Sequence, residues 1–119
     1  MITLELPFPP SVNHYWRHVG GRTLVSRGGR RYCKEVMALL AAYRGAAPLR
    51  GRLELLVEVF PPDTRRRDLD NVQKALLDAL QRAEVYLDDS QIDRIEVRRG
   101  SVVPGGKVLV QVTERKVMG

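Results

Sequence analysis

The chain has 119 residues, a formal net charge of +6 and an isoelectric point near 10.0, with 44% hydrophobic and 29% charged residues. This length holds one domain (residues 1–119) with a real core and is too short for two. The charge points to an anionic partner, nucleic acid ahead of an anionic membrane surface. The single Cys33 excludes an internal disulfide framework, no Cys/His set has zinc spacing, and no apolar run nears the ~20 residues that span a bilayer. The opening residues Met1 to Pro7 lack the basic and apolar regions of a signal peptide, so no membrane association and a cytoplasmic location are expected.

Ile2, Leu4 and Leu6 alternate with polar neighbours and predict a half-buried strand stopped by Pro7. Pro9-Pro10-Ser11 predicts an extended turn, followed by a polar segment, Asn13 to Arg17, that carries Tyr15 and Trp16. Arg22 to Ser26 predicts a short second strand, and Gly28-Gly29 a bend. A helix is expected from Arg30 to about Arg44, with Tyr32, Val36, Leu39, Leu40 and Tyr43 on one stripe, then a loop from Gly45 to Gly51. Leu53 to Phe60 is the clearest strand, with Leu53, Leu55, Val57 and Val59 on one face, and Pro61-Pro62 stops it. A second helix is expected from about Asp70 to Glu84, burying Val72, Leu76, Ala79, Leu80 and Ala83. Ile92 to Arg98 and Val108 to Thr113 alternate again, and Pro104-Gly105-Gly106 between them predicts a terminal hairpin. The order β-β-α-β-α-β-β gives an α+β fold, a single mixed β-sheet with two main helices on one face.

Charge is unevenly placed. Residues 1–67 hold twelve Lys/Arg and five Asp/Glu, whereas residues 68–119 hold eight and nine. An acidic cluster thus lies inside a basic molecule, and Arg65-Arg66-Arg67-Asp68-Leu69-Asp70-Asn71 sets carboxylates directly against arginines. Clustered like charges cost free energy unless something offsets them, and a divalent cation does so when they converge. Cations that sit on carboxylate oxygens and handle phosphate are typically magnesium or manganese. Asp68 and Asp70, two residues apart in a strand-to-helix connection, point the same way in extended geometry and can reach one ion. Either also fits a helix cap. The Asp-x-Asp-Asn opening resembles a calcium-binding loop, but Gln73 stands where glycine is needed and the twelfth position lacks glutamate.

Asp70, Lys74 and Asp78 are one helical turn apart. They fit an exposed ion-pair ladder worth ~0.3–0.5 kcal/mol per pair, or a lysine beside a scissile phosphate. Asp88-Asp89 fits a capped polar turn, or a further pair of carboxylates folded back onto Asp68 and Asp70. The run Arg65, Arg66 and Arg67 fits a solvated loop or a phosphate clamp. Tyr15 and Trp16, near Asn13, Arg17 and His18, fit stacking on unpaired bases or, for Trp16, the core. Metal binding by His14 and His18 is not expected, and Cys33 reads as a small buried hydrophobe. No glycine-rich loop has phosphate-binding spacing ahead of a helix, so no nucleotide cofactor is expected.

Three separated blocks resemble, in order and over most of the chain, the RusA family of Holliday junction resolvases. They are Pro9-Pro10-Ser11-x-Asn13 with Tyr15-Trp16-Arg17, then Arg67-Asp68-Leu69-Asp70-Asn71-x-x-Lys74-x-x-x-Asp78-x-Leu80, then Asp88-Asp89-Ser90-Gln91. The resemblance implies a homodimeric, magnesium-dependent endonuclease, with manganese as substitute, that resolves four-way DNA junctions by paired symmetric nicks in recombination and repair. It places metal-binding carboxylates at Asp68, Asp70 and Asp89, an essential lysine at Lys74, and supporting roles at Asp78 and Asp88. It also implies a DNA-contacting segment at Arg65, Arg66 and Arg67, with Asn13, Tyr15 and Arg17 nearby. The alternatives are a non-catalytic basic nucleic-acid-binding protein, which lacks a bound divalent ion, and a metal-dependent nuclease for other branched or single-stranded DNA, which differs in substrate.

Overall fold

The computed structural model describes residues 1–43 and 48–115, the side chains of residues 12, 13, 42 and 43 excepted. Along the chain it contains β1 (Ile2–Leu6), a single turn α1 (Val12–Tyr15), β2 (Trp16–Val19), β3 (Arg22–Val25), α2 (Arg27–Tyr43), β4 (Arg52–Phe60), α3 (Leu69–Arg82), a 3-10 turn (Asp89–Gln91), β5 (Ile92–Arg99) and β6 (Lys107–Arg115). Period-two patterning decides the central strand. β4 buries Leu53, Leu55, Val57 and Val59 and leaves Glu54, Leu56, Glu58 and Phe60 partly open on the other face. β6 pairs antiparallel with β4 and with β1, while β5 pairs with β4 in parallel, giving the sheet order β1-β6-β4-β5. A parallel neighbour requires a long crossover, and α3 supplies it.

Leu4, Leu6, Val108, Val110 and Val112 share the buried face of β4 in one core cluster. α2 contributes Tyr32, Cys33, Val36 and Leu40 to that cluster, and α3 contributes Val72, Ala75, Leu76, Ala79 and Leu80. Ala83 is partly buried against it. Leu39, expected in the α2 stripe, is 44% exposed. The burial of Cys33 rotates the helix so that its apolar arc centres on 33, 36 and 40, which leaves 39 at the edge. The expected place of Tyr43 in that stripe and the expected helix end at Arg44 lie outside the described side chains and residues.

The α+β class holds, and three details differ from the sequence expectation. First, β2 and β3 form a separate two-stranded ribbon instead of adding one strand to a single sheet. Gly20 and Gly21 make its turn at φ 54° and 75°, the two positive values that a tight hairpin compatible with strand twist demands. Second, Gly28 and Gly29 do not bend the chain; they lie in the first turn of α2. Ser26 caps that turn, its Oγ accepting from the Gly29 amide at 3.0 Å. Glycine is needed at 29 because a Cβ there would sit 2.5 Å from the Tyr15 carbonyl oxygen and 2.7 Å from Val25 Cγ1.

Third, β5 and β6 do not form a hairpin, because β4 lies between them. The Gly100 amide donates to the Val59 carbonyl at 2.7 Å and the Val103 amide to the Pro61 carbonyl at 2.9 Å. The connection therefore passes over the end of β4 and delivers β6 to its far edge. Both edges of the most apolar strand are filled this way, where a β5–β6 hairpin would leave one bare. α3 ends with the Glu84 amide bonded to the Gln81 carbonyl (3.0 Å) and the Val85 amide to the Leu80 carbonyl (3.1 Å), and Glu84 has φ 62°. This is the Schellman ending, at a position that favours glycine.

Two stability predictions follow from these backbone positions. Glu84→Gly is expected to relieve the left-handed conformation and stabilise by about 1 kcal/mol. Gly29→Ala is expected to destabilise by about 1–3 kcal/mol, since backbone must move to admit the methyl. Urea unfolding midpoints of the two variants should shift in opposite directions.

Candidate nucleic-acid cleft and carboxylate site

Beyond Pro61-Pro62 the chain turns toward α3 through a loop organised by Asp63. Its Oδ1 accepts from the Arg65 amide at 2.9 Å and from Arg67 Nη1 at 2.7 Å. The Arg67 bond is the main reason that the Asp63 carboxyl is held down to about 2. Arg67 also lies over the Phe8 ring, 5.5 Å from its centroid, and its carbonyl accepts from Arg99 Nη2 at 2.7 Å. It thus braces the loop. Arg65 extends into solvent with a 3.7 Å approach to Asp63, and exposed Arg66 has no hydrogen bond or ion pair among the described residues. Arg66, Arg67, Asp68, Asn71 and Val72 face Phe8, Pro9, Pro10 and Ser11 across an open cleft of about 630 Å³. Two of the three motif blocks therefore meet.

Asp68 occupies the N-cap position of α3 with extended backbone, yet its side chain makes no capping hydrogen bond. Asp70 follows in the first turn, and Lys74 one turn later. Among the described residues none of these three side chains has a hydrogen bond or ion pair. The ladder forms only at its far rung, where Arg82 Nε donates to Asp78 Oδ2 at 2.7 Å. Asp78 Oδ2 also accepts from the Tyr15 hydroxyl, which lies 3.2 Å from Cys33 Sγ. Burial and then the Asp78 bond push the Tyr15 hydroxyl far above its ordinary value, so it stays protonated.

Tyr15 is 0% exposed, which corrects its placement among base-stacking residues: its ring is core and its hydroxyl holds α3. Trp16 is partly buried against it, edge-on at 4.8 Å between centroids and 71°. Arg17 is exposed on β2. The side chain of Asn13 lies outside the described residues.

The third block is a self-capped turn. Asp88 accepts from the Ser90 amide and hydroxyl, which hold its carboxyl below the ordinary value. Asp89 Oδ1 accepts from the Tyr86 hydroxyl at 2.7 Å, and the Asp89 amide donates to Gln81 Oε1 at 3.2 Å. Burial pushes the Asp89 carboxyl up; the Tyr86 bond opposes this, and the charges of Asp88 and Asp78 reinforce it. Buried Gln91 fastens the turn. Its Oε1 accepts from the Leu87 and Asp88 amides at 2.8 and 2.9 Å, and its Nε2 donates to the Leu49 and Gly51 carbonyls at 3.0 and 2.9 Å. Neither Tyr86 nor the anchoring by Gln91 was drawn from the sequence; the capping-box spacing Asp88-x-x-Gln91 is the signal for the second.

Among the described residues no three His, Cys, Asp or Glu side chains are grouped as metal ligands. Asp68 and Asp70 stand at the start of α3, while Asp89 is tied through Tyr86 to its third turn, where the same hydroxyl lies 3.1 Å from the Leu77 carbonyl. The donors fit a hard divalent cation in kind: all are carboxylates, two are unpaired, and the third is one that burial makes costly to ionise.

Asp68, unpaired like Asp70 and Lys74 that follow it on α3, lines the cleft with Arg66 and Arg67. Residues 7–113 match the family model described as endodeoxyribonuclease RusA. The chain is 43% identical over 109 residues, 92% of its length and 91% of the relative's, to the crossover junction endodeoxyribonuclease of Enterobacteria phage HK97. It is 40% identical over 112 residues (94% and 93%) to that of Escherichia coli K12, and 40% identical over 111 residues (93% and 92%) to that of Enterobacteria phage 82. The chain belongs to the RusA family of endodeoxyribonucleases. No helix among its described residues is long and apolar enough to cross a membrane.

Gln91→Ala is expected to unpair two amides and two carbonyls, at roughly 1–3 kcal/mol for each group that water does not reach, and to lower the urea midpoint accordingly. The Asp63–Arg67 contact stabilises fully above pH 3.8, the ordinary carboxyl value, and is lost as pH falls through about 2. Arg67→Ala should return the Asp63 carboxyl toward 3.8, which an NMR titration reads directly.

Proposed function

We propose that this protein is a crossover junction endodeoxyribonuclease, a homodimer that resolves four-way DNA junctions by paired symmetric nicks with magnesium, or manganese in its place. It acts in the cytoplasm in DNA recombination and repair. The observation that carries this is the unpaired set Asp68, Asp70 and Lys74 in the first turns of α3, with Asp68 lining the cleft, in a chain 40–43% identical to relatives named for that activity.

Asp68, Asp70 and Asp89 would hold the ion, which when bound supplies an activated water and neutralises charge at the phosphate. Lys74, one turn beyond Asp70, places a positive charge where negative charge builds on the phosphoryl oxygens. Arg65 and Arg66 grip flanking phosphates, and Arg67 keeps their loop in shape. Tyr86 orients Asp89, and Asp78 and Asp88 fix the segments around it. A two-fold dimer suits a substrate that needs two nicks at symmetric positions. Junction shape, carried by phosphates, is then the main thing recognised.

Asp70→Asn is expected to abolish cleavage of a labelled four-way junction while binding is kept or tightened, because a ligand and a repulsive charge go together. Lys74→Ala should slow cleavage by about 10²–10³-fold. Linear duplex and flap DNA serve as controls. Tight junction binding by the wild type with no magnesium- or manganese-dependent cut would make the protein a binder, and equal cutting of flaps would make it a nuclease of other specificity.

A further inference from the structure

From Phe8 to Arg52 the sequence holds nine Lys/Arg and one acidic residue, Glu35. The fold sorts the protein's cations into two classes. On the sheet, Arg52 and Arg115 share Asp93, Arg94 and Arg98 approach Glu96 at 3.8 and 3.7 Å, and Lys107 meets Glu5 at 3.1 Å. On α2, exposed Arg27, Arg31 and Lys34 have no hydrogen bond or ion pair among the described residues. Arg30 donates only to the Val25 carbonyl, at 2.9 Å.

These four residues, spaced i, i+3, i+4 and i+7, form one helical stripe and line a groove of about 390 Å³. Three of them fall in or next to the first turn of α2, which contains no acidic residue. The positive end of the helix dipole disfavours cations, and neighbouring arginines repel one another. Folding alone gains nothing from this arrangement; an anion in the groove resolves both conflicts.

We infer that the α2 groove is a second phosphate-binding surface, apart from the cleft, that holds a double-helical arm of the DNA by its backbone. This rests on the nuclease function proposed above. Arg27 to Lys34 covers ~10 Å of helix at 1.5 Å per residue, the length of duplex axis over which one strand carries about three phosphates. Among the described residues no aromatic side chain lines the groove, so it offers nothing for unpaired bases to stack on. Its position relative to the cleft is fixed. The Ser26 hydroxyl donates to the His14 carbonyl, the Ser26 amide to the Tyr15 carbonyl at 2.8 Å, and the Tyr15 amide to the carbonyl of cleft residue Ser11 at 2.7 Å.

The test uses the triple variant Arg27→Gln/Arg31→Gln/Lys34→Gln, which leaves Arg30 and its backbone bond in place. Binding to a synthetic four-way junction and to linear duplex is measured against salt in EDTA. The slope of log affinity against log salt should fall by about two to three units on both, at ~0.9 per phosphate contact. The control Arg94→Gln/Arg98→Gln removes paired cations and should leave the slope unchanged. A wild-type slope in a folded triple variant overturns the proposal, as does an equal loss per charge in the control.

If circular dichroism shows the triple variant unfolded, amine labelling of the wild type decides. Bound duplex should protect Lys34 and leave Lys107 reactive, and equal labelling of Lys34 with and without DNA overturns the groove. A wild type that binds DNA but never cuts a junction sinks the nuclease function and leaves these measurements intact. A wild type that binds no DNA sinks the groove as well.

Discussion

A tyrosine hydroxyl removed from water must find partners inside the protein or cost the fold its desolvation. Tyr15 finds them on two helices, Asp78 of α3 and Cys33 of α2, while its own backbone belongs to α1. One side chain therefore sets the relative position of three helices, and the absent side chain at Gly29 is what lets α2 come close enough. The wall of the cleft follows, since Ser11 is bonded to the same turn. Asp78 is balanced by Arg82 and is no longer available for other work. Two turns and one turn earlier on the helix, Asp70 and Lys74 are left open. The face of α3 thus changes along its length from unpaired to bonded side chains.

Adjacent arginines divide in the same way. Arg67 is enclosed by Asp63, Phe8 and the strand residue Arg99, whereas Arg66 beside it has no partner among the described residues. A run of identical residues gives no hint of this division, because it depends on which one the loop carries toward Phe8. The bracing by Arg67 fixes the loop on which Arg66 is exposed.

What the sequence made legible was what periodicity and capping chemistry encode. Leu53, Leu55, Val57 and Val59 defined the central strand, the apolar stripe of α3 defined its buried face, and motif spacing led to the family. The hidden parts depended on partners distant in sequence. Tyr15 amid polar residues reads as surface until Asp78, 63 residues away, is brought beside it. The Pro104-Gly105-Gly106 turn reads as a hairpin until β4 is seen to fill the gap. The expectation that Asp89 ligates a metal came from the motif resemblance, whereas the partners the structure gives it are Tyr86 and Gln81. The hairpin of β2 and β3, by contrast, was encoded locally in Gly20-Gly21.

The pairing of β1 with β6 sets Ile2 opposite Val112. Such distant pairing is slow to form, because a long loop must close before any contact rewards it. On the ribosome, β1 emerges first and waits with an unpaired edge until residues 107–115 leave the exit tunnel. The cleft wall at residues 8–11 follows β1 directly, so one of its two anchors waits with that strand, the other being the bond of Ser11 to the Tyr15 turn. A chain that ends before residue 107 accordingly carries all three motif blocks yet lacks the strand that pairs with β1 beside the cleft wall.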